Sequence, residues 1–110
     1  MLEVLIATVF TALLIALSVR ANRRYEDQIR LPMQWGFSGE VNWTAPRRIA
    51  LAFTPILGAL MLGGTAALLV AGPPPRVGQE HLGVPVMLFQ GMGLLAAHAL
   101  HLWLIGRTVR

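Results

Sequence analysis

The hydrophobic positions of this chain fall into three long runs that polar connections separate. The first run extends from Leu2 to Val19, the second from about 49 to 72, and the third from about 84 to 106. A bilayer core about 30 Å thick needs around 20 helical residues to cross it. We therefore predict an all-α membrane domain over residues 1–110, with transmembrane helices over 2–19, 49–72 and 84–106.

The composition agrees with a small membrane protein. Of the 110 residues, 55% are hydrophobic and 13% are charged, a balance typical of membrane chains. The chain has no cysteine, so disulfides, thiolate metal sites and cysteine nucleophiles are excluded. The net charge is +4, but the arginines cluster where apolar runs end, so we do not predict binding to nucleic acid.

The distribution of arginine predicts the orientation. The first connection is rich in arginine, the second contains Arg76 alone, and the C-terminal tail contains Arg107 and Arg110. In a three-span protein the first connection and the C-terminus lie on the same side of the membrane. The positive-inside rule therefore predicts a multi-pass membrane protein with its N-terminus outside and its C-terminus in the cytoplasm.

Small residues in the second and third runs predict how the helices pack. In lipid, helices associate largely through close packing of small side chains. Such residues recur at every fourth position at Ala59, Gly63 and Ala67, and again at Gly93 and Ala97. We expect these two faces to pack against each other, against a second copy or against other membrane subunits.

The third run also contains three polar residues, Gln90, His98 and His101, on one side of the predicted helix. An ionisable residue at this depth is a candidate functional site, because histidine can bind haem or a metal or relay protons. A simpler interpretation is a hydrogen bond to a neighbouring helix, with Thr54 or Thr65 as possible partners. Neither of the other runs offers a histidine as a second ligand, so we predict no metal site and no cofactor.

No catalytic arrangement is apparent in the sequence. None of the five carboxylates lies in the interior of an apolar run, and no phosphate-binding loop is present. We therefore expect a protein that is not an enzyme.

The connection between the first two runs, LPMQWGFSGEVNWTAPRR at residues 31–48, has two interpretations. It can be an interfacial turn, in which the tryptophans lie in the headgroup layer and Thr44 caps the second helix. Alternatively, it can be a recognition surface. The candidate recognition residues are Pro32, Gln34, Trp35, Gly39, Trp43 and Arg47.

The run QIRLPMQWGFSGEVNWTAPRRIALAFTPIL resembles the small domain of unknown function at the N-terminus of SdpI-type bacterial immunity proteins. The resemblance covers about the first 60 residues. It implies a membrane protein without enzymatic activity that acts in immunity or signalling through protein contacts, and it implies an orientation with the connection outside. The matching positions are Pro32, Gln34, Trp35, Gly39, Arg47 and Pro55.

These observations leave three functional hypotheses. The first is a non-enzymatic, SdpI-like immunity or signalling module that binds a protein through residues 31–48. The second is an accessory subunit of a larger membrane complex, which docks through the Ala59, Gly63 and Ala67 face. The third is a haem or metal carrier that uses His98 or His101.

Overall fold

The computed structural model describes residues 1–109 and contains three long helices and one small sheet. The elements follow in the order α1 (Leu2–Arg24), β1 (Arg30–Trp35), β2 (Val41–Pro46), α2 (Arg47–Ala71) and α3 (Gly83–Thr108). Arg110, which was counted above in the C-terminal tail, lies outside the described residues.

All three helices are long and apolar enough to cross a membrane, which confirms the predicted number of candidate spans. Helix α1 continues beyond the predicted end at residue 19 and reaches Arg24. The prediction stopped where the apolar run stopped. The helix itself continues because arginine is a good helix former and because a cation near a helix C-terminus interacts favourably with the helix dipole.

The prediction of an all-α fold is wrong in one respect, because residues 30–46 form an antiparallel hairpin. Leu31 pairs with Ala45, and the register shifts on either side of Gln34. In the turn, the Gly36 N–H donates to the Glu40 carbonyl at 2.8 Å. Gly39 has a φ of 87°, which glycine adopts at little cost. The fold is therefore mostly helical with a two-stranded sheet between α1 and α2.

The predicted capping role of Thr44 is also wrong. Thr44 lies in β2, where its hydroxyl accepts a hydrogen bond from Arg30 Nε at 2.8 Å and its carbonyl accepts one from Arg30 Nη2 at 2.7 Å. The residue that precedes α2 is Pro46, and it makes no side-chain cap. Because Thr44 belongs to β2, it lies too far along the chain from the first turn of α2 to cap this helix.

Helix α1 packs against both of the other helices, and each of these contacts is more extensive than the contact between α2 and α3. Its buried residues recur every three or four positions and form one stripe along the helix: Ile6, Ala7, Phe10, Leu14, Ser18 and Ala21. The core has two clusters of buried residues. The cluster at the hairpin end contains Ala21, Tyr25, Leu31, Ala45, Ala50, Leu51 and Ile105, and the other contains Ile6, Ala7, Phe10, Leu62, Ala66 and Met87.

Glycines opposite α1 allow this close packing. A side chain at Gly58 would overlap Leu14, and one at Gly91 would overlap the ring of Phe10. A Cβ at Gly106 would stand 2.8 Å from the Tyr25 hydroxyl. Glycines of α2 and α3 therefore occur where a large side chain of α1, or Tyr25 just after it, packs against the neighbouring helix.

The small-residue faces predicted from the sequence do not meet each other within the chain. No neighbouring atom lies within 4 Å of a Cβ placed at Gly63 or at Gly93. The companions of these glycines at Ala59, Ala67 and Ala97 are exposed. Contact of either face with a partner stays a prediction.

Two glycines of α3 provide a matched test of this packing. We expect Gly91→Ala to lower the free energy of unfolding in detergent by about 1–3 kcal/mol, because the new methyl group displaces the Phe10 ring. Gly93→Ala places the same methyl group in open space, so we expect no loss, and the better helix propensity of alanine favours a small gain. Equal effects of the two substitutions would contradict the observed orientation of α3, in which Gly91 faces α1 and Gly93 does not.

Candidate functional site

A proline in α2 leaves one backbone carbonyl of that helix without its usual donor. In an α-helix the N–H of residue 55 would donate to the carbonyl of residue 51, but Pro55 has no N–H. Leu51 and Pro55 are both buried. The Leu51 carbonyl therefore needs a donor from another part of the chain.

Ser18 of α1 supplies that donor. Its hydroxyl donates to the Leu51 carbonyl at an O···O distance of 2.6 Å, and His98 Nε2 of α3 lies 2.8 Å from the same hydroxyl oxygen. Serine has one hydroxyl proton, and the carbonyl receives it. The second contact is therefore a hydrogen bond when Nε2 carries the proton of the neutral ring and donates to Ser18 Oγ. We call this sequence of bonds, from Leu51 through Ser18 to His98, the polar chain.

The polar chain joins all three helices in the interior of the bundle. His98 is completely buried and Ser18 is 8% exposed. His98 thus bonds to a hydroxyl on a neighbouring helix, but the hydroxyl belongs to Ser18 and not to Thr54 or Thr65. Thr65 donates to the carbonyl of Met61 in its own helix at 2.8 Å. The partner was missed because nothing in the sequence shows that α1 packs against both α2 and α3.

Two buried side-chain atoms of α3 have no hydrogen-bond partner among the described residues. They are Nδ1 of His98 and Oε1 of Gln90. Gln90 lines a groove between α2 and α3, together with Gly93 and Ala97. The intramembrane polar residues predicted from the sequence therefore do not form one site. Gln90 lies in this groove, His98 in the polar chain, and His101 contacts the hairpin.

His101 holds the hairpin against the end of α3. Its Nε2 donates to the Pro32 carbonyl at 3.1 Å, and its ring meets the Trp35 ring edge to face, with centroids 5.8 Å apart. The indole N–H of Trp35 donates to the Thr108 hydroxyl at 2.9 Å. Pro32 and Trp35, which were predicted as recognition residues, therefore make contacts with α3 in the same chain.

Arg47 closes the other side of the hairpin. Its Nε donates to Asn22 Oδ1 at 2.9 Å. Its Nη1 donates to the carbonyl of Glu26 at 2.6 Å and to that of Gln28 at 2.7 Å. Asn22 lies in the last turn of α1, and Glu26 and Gln28 follow the C-terminal end of this helix, where carbonyls lack helical donors and a cation is favourable. Arg47, the first residue of α2, thus connects the start of this helix with the end of α1 and with the residues that lead into the hairpin.

The remaining predicted loop residues lie on the outer face of the hairpin. Trp43 is 51% exposed, and its indole N–H donates to Gln34 Oε1 at 2.9 Å. Gly39 is in the exposed turn, two residues after Phe37, whose side chain is fully exposed. Sequence reasoning missed Phe37. Regular two-residue alternation would have placed both tryptophans on the buried side, with Leu31 and Ala45. The register shifts around Gln34, which pair Gln34 with Trp43, separate them, and the sequence does not show these shifts.

The described residues offer no metal centre. Within residues 1–109 no group of three or more histidine, cysteine, aspartate or glutamate side chains could hold an ion. Both histidines of α3 use Nε2 for hydrogen bonds within the chain. The arrangement therefore positions the helices and the hairpin relative to one another.

The polar chain can be tested with a double-mutant cycle. We expect Ser18→Ala to lower the free energy of unfolding by about 1–2 kcal/mol, because it leaves the Leu51 carbonyl and His98 Nε2 without partners. Pro55→Ala restores a helical donor to Leu51, so in that background the loss on Ser18→Ala should be smaller by at least about 0.5 kcal/mol.

The control for this cycle is Thr8→Ala. Thr8 is exposed and bonds to the Val4 carbonyl of its own helix at 2.8 Å, so we expect little change in stability. Strict additivity of Ser18→Ala and Pro55→Ala would contradict the role assigned to the freed carbonyl. The measurement is reversible unfolding by SDS titration in mixed micelles.

Comparison of this chain with protein-family models, with curated proteins and with solved structures found no match.

Proposed function

We propose that this protein is a non-enzymatic integral membrane protein that binds a protein partner through the outer face of its hairpin. The observation that carries the proposal is a difference between the two sides of one short element. Its inner side is fixed to the bundle by Leu31, His101 and Arg47, whereas Trp43 and Phe37 are exposed.

The fixed inner side bears on binding, because a rigid surface loses little conformational entropy when a partner docks. An isolated two-stranded hairpin is marginally stable in water. Here the completely buried side chain of Leu31 and the bonds to His101 and Thr108 hold it in place. Exposed aromatic residues on such a surface are the residues most often responsible for affinity.

The resemblance to SdpI-type immunity proteins supports the same class of function. It implies immunity or signalling at the bacterial inner membrane through contacts with other proteins. The hairpin contains four of its six matching positions, Pro32, Gln34, Trp35 and Gly39. The resemblance and the geometry therefore draw attention to the same segment.

Two tryptophan substitutions test the proposal. We expect Trp43→Ala to leave stability within about 1 kcal/mol of the wild type, because the side chain is exposed. It should reduce capture of partner proteins by tenfold or more, in the range of a tryptophan that anchors an interface (~2 kcal/mol). The measurement is quantitative mass spectrometry of tagged protein purified in mild detergent.

Controls separate binding from folding in this experiment. Trp35→Ala removes the contacts to His101 and Thr108, so we expect lower stability. Phe89→Ala removes an aromatic side chain that is 84% exposed on α3, and we expect it to change neither stability nor capture. An unchanged set of partners with Trp43→Ala would refute the proposed role of the hairpin.

A second candidate function is an accessory subunit of a larger membrane complex. The supporting observation is a groove of about 500 Å³ between α1 and α2, which is lined by small residues that include Ala12, Ala59, Gly63 and Ala67. In the same purification, Gly63→Leu would abolish capture of membrane subunits if this groove is the docking site. Gly64→Leu is the control, because Gly64 has equally open surroundings but is not part of the groove.

The haem or metal carrier stays a third prediction, and no observation favours it over the first two. The visible spectrum and the metal content of the purified protein test it directly. A colourless preparation without metal would remove it.

The orientation in the membrane is also a proposal, because the arginine count and the resemblance imply opposite answers. The chain has no native cysteine, so single cysteines can be introduced at Phe37 and Val77, two exposed positions at opposite ends. If the arginine count gives the correct orientation, an impermeant maleimide should label Val77→Cys in intact cells. It should label Phe37→Cys only after the cells have been permeabilised. The reverse pattern would place the hairpin outside, as the resemblance implies.

A further inference from the structure

A groove between α1 and α3 at the hairpin end combines cationic and apolar walls. Its volume is about 270 Å³. Arg20 and Arg24, one helical turn apart on α1, line one side. Leu102 and Trp103 of α3 line the other side, and Leu17 of α1 continues the apolar wall towards the middle of the bundle. We call this surface the arginine groove.

The arginines of the groove have no carboxylate partner among the residues that the structure describes. Among residues 1–109, the one ion pair within 4.0 Å joins the N-terminal amine to Glu3 at the opposite end of the bundle. Glu26 and Asp27 follow Arg24 closely in sequence, but neither pairs with it. The groove therefore has uncompensated positive charge and can accept an anion.

The aromatic residues around the groove indicate its depth in a bilayer. The Arg24 guanidinium lies 5.4 Å from the centroid of the Tyr25 ring. The Arg107 guanidinium lies 5.0 Å from the centroid of the Trp103 ring. Tryptophan and tyrosine prefer the headgroup layer, and a guanidinium forms paired hydrogen bonds with phosphate oxygens. The groove thus opens where lipid phosphates lie and extends down to where acyl chains begin.

We propose that the arginine groove is a binding site for an anionic phospholipid. The phosphate is held between Arg20 and Arg24, and one acyl chain lies along Leu17 and Leu102. No carboxylate lines the groove, so no negative charge in it can balance the ammonium group of a zwitterionic headgroup. The rings of Tyr25 and Trp103 already lie beside the guanidinium groups of Arg24 and Arg107. This proposal rests on the proposed function in one respect, namely that the helices span a membrane.

Lipid binding to purified protein in detergent tests the proposal. The probes are phosphatidylglycerol and phosphatidylcholine, titrated separately, and the readouts are bound lipid by native mass spectrometry and the unfolding temperature. We expect phosphatidylglycerol to bind more tightly and to raise the unfolding temperature. The double variant Arg20→Gln and Arg24→Gln should bind phosphatidylglycerol about 30-fold more weakly.

A second double variant serves as the matched control. Arg23→Gln and Arg48→Gln remove the same charge from exposed positions at the same end of the bundle, outside the arginine groove. We expect this variant to bind phosphatidylglycerol nearly as well as the wild type. An equal loss in both double variants would mean general surface attraction and would overturn the site, as would equal affinity for the two lipids.

Further measurements separate the possible failures. If glycerol phosphate alone raises the unfolding temperature as much as phosphatidylglycerol does, the ligand is a free phosphate and the lipid assignment is wrong. The Arg20 and Arg24 variant must unfold at the wild-type temperature without lipid, so that loss of binding reflects the groove. Extraction of the protein from membranes by alkaline carbonate would overturn membrane insertion itself, whereas a retained protein without lipid preference overturns the lipid site alone.

Discussion

The carbonyl of Leu51 imposes the constraint on which the rest of the structure depends. Pro55 removes its helical donor, and a buried carbonyl without a donor is costly, most of all in the membrane setting proposed here, where no water can replace it. Ser18 of α1 satisfies it, and His98 of α3 satisfies Ser18 in turn. A single unmet hydrogen bond in α2 thus requires a particular residue from each of the other two helices.

This constraint also sets the packing of the apolar residues. Ser18 lies on the same stripe of α1 as Phe10 and Leu14, at helical spacing. Once Ser18 faces Leu51, the helix can rotate little, and Phe10 and Leu14 are brought against Gly91 and Gly58. Packing alone discriminates weakly among apolar helices in lipid. The directional bonds of the polar chain supply the discrimination that the apolar surfaces lack.

The three helices could be predicted from the sequence because a long apolar run has few other interpretations. The hairpin could not, because Pro32 and Pro46 favour a turn and the strands between them are short. The stabilising partners of those strands, His101 and Thr108, lie more than sixty residues away in the chain. Small-residue spacing indicated Gly63 and Gly93, yet the close contacts use Gly58 and Gly91, because the choice depends on which α1 side chain lies opposite.

The candidate site was predicted at the level of the segment and not at the level of the residue. Sequence reasoning selected residues 31–48 as one segment, of which the hairpin takes residues up to Pro46 while Arg47 begins α2. It could not separate inward from outward positions without the strand register. It also treated His98 and His101 as one set, since they share a side of the helix. The structure separates them, because His98 contacts α1 in the interior and His101 contacts β1 at the end.

The support of the hairpin by the last helix has a consequence for biosynthesis. A ribosome makes the hairpin before it makes α3, and membrane chains emerge with the N-terminus first. When α1 and α2 have been made but α3 has not, the hairpin can form its bonds with Arg47 but not those with His101 and Thr108. The hairpin is therefore completed late, when α3 docks, so a chain interrupted before α3 would not display the finished face of the hairpin.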